Sequence, residues 1–211
     1  MSHMRRMISV RMLRVFLLLS AALAGCRQQV VSKEKLLRII DQDKLLSQAR
    51  VVNGIRIRMS YVPCQLMVLR DLESSKSPDS ARLHQLEKKY SPQFYFRLTF
   101  SKNNNEVIRE VGSFHQYSDM LQVLSFEMGG HINATTDAGD TVFLKDYVFA
   151  QDYGMSRENE SLLVFARKDF DKSSEIQVNL GEFGLGTGSQ KFVFSKAEME
   201  HLPLLKYPEL N

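Results

Sequence analysis

The residues most suggestive of chemistry are Gly181-Glu182-Phe183-Gly184-Leu185-Gly186-Thr187-Gly188-Ser189-Gln190-Lys191. Glycine lets backbone N–H groups close on an anion, so a run of this composition could cradle a phosphate. Its spacing argues against that. A Walker-type loop needs Gly-x-x-x-x-Gly-Lys-Ser/Thr between a strand and a helix, whereas Lys191 follows Gln190 and leads into the strand-like Phe192-Val193-Phe194. The dinucleotide pattern Gly-x-Gly-x-x-Gly fails as well, because Ser189 stands where the third glycine belongs. The run is expected to be a glycine-rich hairpin or bulged connection with positive φ angles, with a ligand-contacting loop as the alternative. No cofactor is expected.

A second candidate is Asp169-Phe170-Asp171-Lys172-Ser173-Ser174-Glu175, which spaces oxygen donors as the start of a calcium loop does. Ser174 occupies the required glycine position, and Leu180 stands where the closing bidentate Glu should be. A solvated turn between two strands is the better reading. The polar stretch Asn133–Asp140 is expected to be another turn. His84, His115, His131 and His201 are scattered and form no His-Glu-x-x-His or Cys/His cluster, so no metal site is expected. There is no Gly-x-Ser-x-Gly elbow. Cys64 follows Pro63, leads into Leu66-Met67-Val68-Leu69, and is expected to be a small core residue. No residue is named as catalytic. Asn133-Ala134-Thr135 and Asn159-Glu160-Ser161 match the glycosylation triplet and are given no role.

The remaining chemistry lies at the amino end. Four of the 28 basic residues, Arg5, Arg6, Arg11 and Arg14, fall within residues 1–25, which contain no acidic residue. The chain from Cys26 onward therefore balances its remaining basic residues against 24 acidic ones. A neutral body lacks the basic footprint of a protein that neutralises many phosphates, so nucleic acid is not an expected partner. The run Val15 to Leu23, broken only by Ser20, is too short to span about 30 Å of hydrocarbon but fits the h-region of an export signal. Met1, Met4, Met7 and Met12 all leave a basic flank before it.

Leu23-Ala24-Gly25-Cys26 resembles the lipobox of bacterial lipoprotein precursors. The resemblance implies cleavage before Cys26 and attachment of acyl chains such as palmitate to that residue. Each buried methylene contributes about 0.8 kcal/mol, so several chains would hold a soluble domain at a bilayer almost permanently. By the same resemblance, Arg27 in place of a retention-type Asp implies the outer membrane, and the absence of an acidic cluster in Arg27–Ser32 favours its periplasmic face. The body, through Tyr61-Val62-Pro63, Asp152-Tyr153-Gly154-Met155 and Phe183–Gly188, resembles uncharacterised lipoproteins of Bacteroidota-type bacteria. That likeness implies no activity.

The expected organisation is a signal peptide over 1–25, a tether over 26–32 and one globular domain over 33–211, with no linker-like stretch or repeat inside it. Ser32 can cap a helix carrying Leu36, Leu37 and Ile40, interrupted at Asp41–Lys44. Ile55, Ile57, Met59 and Tyr61 alternate with polar residues and predict a strand. Ser77-Pro78-Asp79 should open a helix ending near Lys89, before Pro92. Phe94–Phe100 and Val107–Val111 predict a hairpin turning at Lys102–Glu106. Ser118 is expected to start or cap the next helix, which should stop at Gly129-Gly130.

Strands are then expected at Thr141–Ala150, Ser161–Ala166, Glu175–Leu180 and Lys191–Phe194, and a short helix should open the final segment from Lys196. Aromatic residues on both faces of Val142–Tyr153 suggest a strand in mid-sheet. Short strands without strand–helix–strand alternation predict an α+β fold, with an antiparallel sheet or sandwich and packed helices. The function that follows is a lipid-anchored envelope component, binding or assembling with an envelope protein and not catalysing a reaction. The alternatives are a glycan- or peptidoglycan-binding module using exposed aromatics such as Tyr95, Tyr147 or Tyr153, and an envelope hydrolase with convergent acidic residues, or Cys64 with a nearby histidine, in a pocket.

Overall fold

The computed structural model describes residues 29–75, 79–152 and 155–209. The signal sequence, Cys26, Ser77-Pro78 and Tyr153-Gly154 lie outside them, and the tether is described only from residue 29. Residues 31–211 separate as one compact unit.

Alternation of apolar and polar residues decides most of its architecture. β2 (Ser47–Val52), β3 (Ile55–Val62), β4 (Gln93–Lys102), β9 (Asn159–Ala166) and β8 (Asp146–Ala150) pair in that order, all antiparallel, and the two-residue β5 (Asn105–Glu106) adds to β4. A second antiparallel sheet runs β11 (Gln190–Ser195), β10 (Glu175–Leu180), β6 (Ile132–Thr135), β7 (Thr141–Phe143). Ile57, Met59, Phe94, Phe96, Phe100, Leu163 and Phe165 from the first sheet share one buried cluster with Ile176, Val178, Leu180, Phe192 and Phe194 from the second. The expected α+β class with antiparallel sheets and short helices is what the chain forms.

The centre of this core is aromatic. Phe96 of β4 lies 4.7 Å from Phe194 of β11, centroid to centroid, and about 6 Å from Tyr61 and Phe165. Edge-on and tilted pairs of this kind add to the area they bury.

The helices sit where the caps put them. α1 (Lys33–Gln42) is capped by Ser32, whose Oγ accepts the Lys35 N–H, and Asp43 turns the chain by accepting the Leu45 N–H at 2.7 Å. α2 (Cys64–Glu73) and α3 (Ser80–Tyr90) pack against each other, Asp71 near the end of α2 accepting the Tyr90 hydroxyl and the Lys89 ammonium from the end of α3, which is capped by Asp79. Met67, Val68, Leu72, Leu86 and Tyr90 of this pair bury a smaller cluster against Tyr95 and Val164, which lie on the face of the first sheet turned away from the main core. The short α5 (Lys196–Glu200) follows β11, and β12 (Leu204–Leu205) pairs with β1 (Val30–Val31), the Lys206 N–H donating to the Val31 carbonyl.

Four expectations are corrected. The hairpin after β4 keeps only Asn105-Glu106 as strand, because Val107–Arg109 turns into a 3₁₀ helix and β9 takes the rest of that edge of β4. Asn159 Oδ1 accepts the Ile108 N–H and fixes the departure. The next helix, α4 (Phe114–Gln122), is capped by Ser113 and not Ser118: the Ser113 Oγ accepts the Gln116 N–H. It widens into a π turn over Val123–Glu127 before the 3₁₀ turn Met128–Gly130.

The segment Val142–Tyr153 is not one mid-sheet strand. Its residues form β7 and β8, each at the edge of a different sheet, with Lys145 at the crossing. Aromatics on both faces reflect that change of sheet, since Phe143 is exposed while Tyr147 and Phe149 pack on the core. Finally, Tyr95 is not an exposed aromatic: it is buried under the α2–α3 pair, its hydroxyl donating to Gln93 Oε1.

Candidate functional site

The glycine-rich run closes β10 onto β11, and Gly184, Gly186 and Gly188 all take positive φ, at 104°, 68° and 63°. Their N–H groups do converge on an anion, but the anion is the chain's own. The Glu182 carboxylate accepts the N–H groups of Phe183, Gly184, Gly186 and Gly188. Those bonds hold the carboxyl below its ordinary pKa against the desolvation that opposes them. Asn53 Nδ2 donates to the Gly186 carbonyl at 2.7 Å, and Phe183 packs 5.2 Å from Phe100. The geometry is that of an anion nest filled from within.

Replacing Glu182 by alanine is expected to cost about 1–2 kcal/mol, since charge-assisted bonds are lost at a site that water can reach. The pH dependence has a definite sign. A carboxyl whose pKa is depressed on folding contributes its stability above the unfolded-state value and loses it as pH falls through the folded one. Urea titrations should therefore show the wild type and Glu182→Ala differing at pH 7 and converging once the pH drops below the ordinary carboxylate range.

The Asp169–Glu175 stretch is engaged similarly. The carbonyls of Phe170 and Asp171 accept the Lys196 ammonium at 3.0 and 3.2 Å, while Ser174 N and Oγ and Glu175 N donate to Asp137. The Ser174 bonds hold Asp137 below its ordinary pKa. The two polar loops are thus tied to each other. Among the described residues, no group of three or more His, Cys, Asp and Glu side chains is placed to hold a metal ion.

The histidines sit on four different elements: His84 on α3, His115 on α4, His131 before β6, and His201 after α5 with Nδ1 2.6 Å from the Ala197 carbonyl. Cys64 opens α2, half-buried against the smaller cluster. Burial pushes its thiol up, with Arg167 opposing, which disfavours the thiolate a nucleophile requires.

A larger concavity than any at these loops lies on the face of the first sheet turned away from the core. It is a groove of about 500 Å³, walled by Leu37, Ile40 and Asp41 of α1 and by Leu66, Met67 and Arg70 of α2, with Tyr90 of α3 at one end. Its floor is sheet: Tyr95 and Arg97 of β4, Glu160, Leu162 and Val164 of β9, and Asp146, Val148 and Ala150 of β8. The period of two puts these residues together, because they alternate with the core-facing Phe96, Leu163, Phe165, Tyr147 and Phe149. Helices cover only part of that face, and Val148 stays 58% exposed.

The charges in the groove are unevenly compensated. Arg70 lies 3.2 Å from Asp71, and Arg97 lies 3.8 Å from Asp41, which also faces Arg58 at 3.9 Å. Glu160 has no basic side chain within 4 Å among the described residues. Desolvation pushes its carboxyl up, Glu158 and Asp152 push the same way, and Arg97 opposes them. The Arg97 Nε is itself buried without a hydrogen-bond partner among the described residues. The groove floor therefore sets a desolvated carboxylate and an incompletely satisfied guanidinium among apolar side chains.

Neither Arg97 nor Glu160 stands out in the sequence as a site residue. The available signal is that β4 and β9 carry Tyr95, Leu162 and Val164 on the face that alternation marks as polar. Apolar residues on both faces mean that both faces are covered or bind something. Of the aromatic residues considered for glycan stacking, Tyr95 lies in the groove, Tyr147 packs on the opposite face, and Tyr153 is outside the described residues. Tyr95 and Tyr147 do not form a common platform.

Fold and groove together define an α+β domain of two main antiparallel sheets and a two-stranded ribbon, with a helix-walled open face. No protein-family model, curated protein or solved structure matches the chain.

Proposed function

We propose that this chain is a lipid-anchored component of the cell envelope, held through Cys26 at the periplasmic face of the outer membrane, and that it binds a partner protein. The observation that carries the binding part is the groove, whose half-covered apolar floor is the kind of surface proteins retain for recognition. The anchoring part rests on the Leu23-Ala24-Gly25-Cys26 pattern after a basic and apolar leader. No helix among the described residues is long and apolar enough to cross a membrane.

Binding is favoured over catalysis by the composition of the groove lining, which includes no Ser, Thr, Cys, His or Lys. A hydrolase reading draws on one feature: Asp41 and Glu160 both reach the surroundings of Arg97, as paired carboxylates for acid–base work would. The readings separate experimentally. Crosslinking the lipidated protein in cells, followed by purification in mild detergent, should recover one stoichiometric envelope protein, and Val148→Arg should abolish that recovery by filling the groove. A clean monomer that turns over a peptidoglycan or glycan substrate, and stops doing so in Glu160→Gln, would replace the binding account with the hydrolytic one.

A further inference from the structure

β8 ends the first sheet, so one side of its backbone has no strand partner among the described residues. An edge of this kind offers unpaired N–H and C=O groups to an incoming chain. Its outward side chains, Asp146, Val148 and Ala150, are also the outer floor of the groove. A strand added beside β8 would carry alternate side chains onto the same face, continuous with that floor.

Charge decides which side chains these should be. The groove's two guanidinium groups already face carboxylates, Arg70 facing Asp71 and Arg97 facing Asp41. Of its carboxylates, Asp41 is matched by Arg97 and Arg58, but the other two are not. Glu160 and Asp146 have no basic side chain within 4 Å among the described residues, and Asp146 accepts only the Tyr147 N–H at 2.9 Å. Asp152 and Glu158 add negative potential at Glu160. An anionic occupant would meet two unmatched carboxylates and find only the Arg97 guanidinium, which already faces Asp41, to receive it, whereas ammonium or guanidinium groups would pair both carboxylates.

We infer that the groove receives an extended segment of a partner protein, added to the sheet beside β8, with an apolar residue over Val148 and a lysine or arginine two positions to either side, one directed to Asp146 and one to Glu160, which the register places at opposite ends of β8. This rests on the groove being the binding surface.

The test uses the full chain in nonionic detergent and three fluorescent nonapeptides with threonine at the even positions, valine at position 5, and lysine, glutamate or threonine at positions 3 and 7, so that valine and the variable residues share one face of the strand. Fluorescence anisotropy should show the lysine peptide binding at least 10-fold more tightly than the glutamate one. The double variant Glu160→Gln/Asp146→Asn should erase that preference while retaining the wild-type melting temperature within a few degrees. Amide hydrogen exchange should slow at residues 146–150 on binding, which a merely electrostatic association would not produce. Equal binding of the three peptides, preference for glutamate, unchanged preference in the double variant, or no binding of any peptide at millimolar concentration would each overturn the inference. If Val148→Arg still abolishes recovery of the cellular partner in any of those cases, the groove remains the binding surface and only the identity of its occupant is wrong. Unchanged recovery in Val148→Arg would instead remove the groove itself.

Discussion

Phe96→Ala is expected to destabilise the domain by about 3–5 kcal/mol, the range for removing a large aromatic side chain from a packed core. Phe96 is fully buried and touches both sheets, with Phe194 on one side and Tyr61 and Phe165 on the other. Truncating it would open a cavity that neighbouring rings on two separate sheets cannot close together. For a domain of this size the loss corresponds to a fall in Tm of about 10 °C. Denaturant titration and thermal melting read the effect directly, and a cost below about 1 kcal/mol would mean that the two sheets do not share the core described. A substitution on the other face of the same strand, Thr99→Val, provides the comparison, because Thr99 is buried outside the aromatic cluster.

The second large effect concerns the anchor. Cys26→Ala should prevent acylation and shift the protein almost entirely from the membrane to the soluble fraction, since acyl burial is the proposed attachment and each methylene contributes about 0.8 kcal/mol to it. Metabolic labelling with a fatty-acid analogue and membrane fractionation would check both halves. Retention of the variant in membranes without label would show that something other than lipid holds it there. The same variant keeps the groove intact, so partner recovery after detergent solubilisation should survive in Cys26→Ala and fail in Val148→Arg.

How much of this was readable from residues alone depended on whether the deciding interaction was local. Ser32 and Asp79 cap their helices from one position upstream, and the alternation over Ile55–Tyr61 and Phe94–Phe100 marks strands whose inward residues are the observed core. The Asn53-Gly54 turn joining β2 and β3, with φ of 51° and 78°, was equally local, and its residue pair is the usual signal for a two-residue hairpin. The strand before it was not visible because Ser47–Val52 is mostly polar and half-exposed, so it lacks an apolar face to announce it.

Non-local effects were hidden. Nothing in Val107–Val111 shows that β9, arriving from 50 residues downstream, will displace it from the edge of β4. The helix start was missed although it is local: Ser113 and Ser118 are both able to cap, and it is the Ser113 Oγ that accepts the Gln116 N–H. The glycine-rich run could be read as a positive-φ connection, but not that Glu182 supplies the anion its N–H groups enclose. The groove was least visible of all, because Asp41, Arg97 and Glu160 come from segments up to about 120 residues apart and acquire meaning only when β4 and β9 pair beside α1.

The central claim is that partners engage the face built on β8 and β9. A photo-crosslinking amino acid placed at Val148 in the natively lipidated protein tests this most directly, with the same group at Val51, on the opposite edge of the same sheet, as the control. Irradiation in cells should give one discrete adduct from position 148 and none from position 51. An adduct from position 51 alone, or identical adducts from both, would contradict the account.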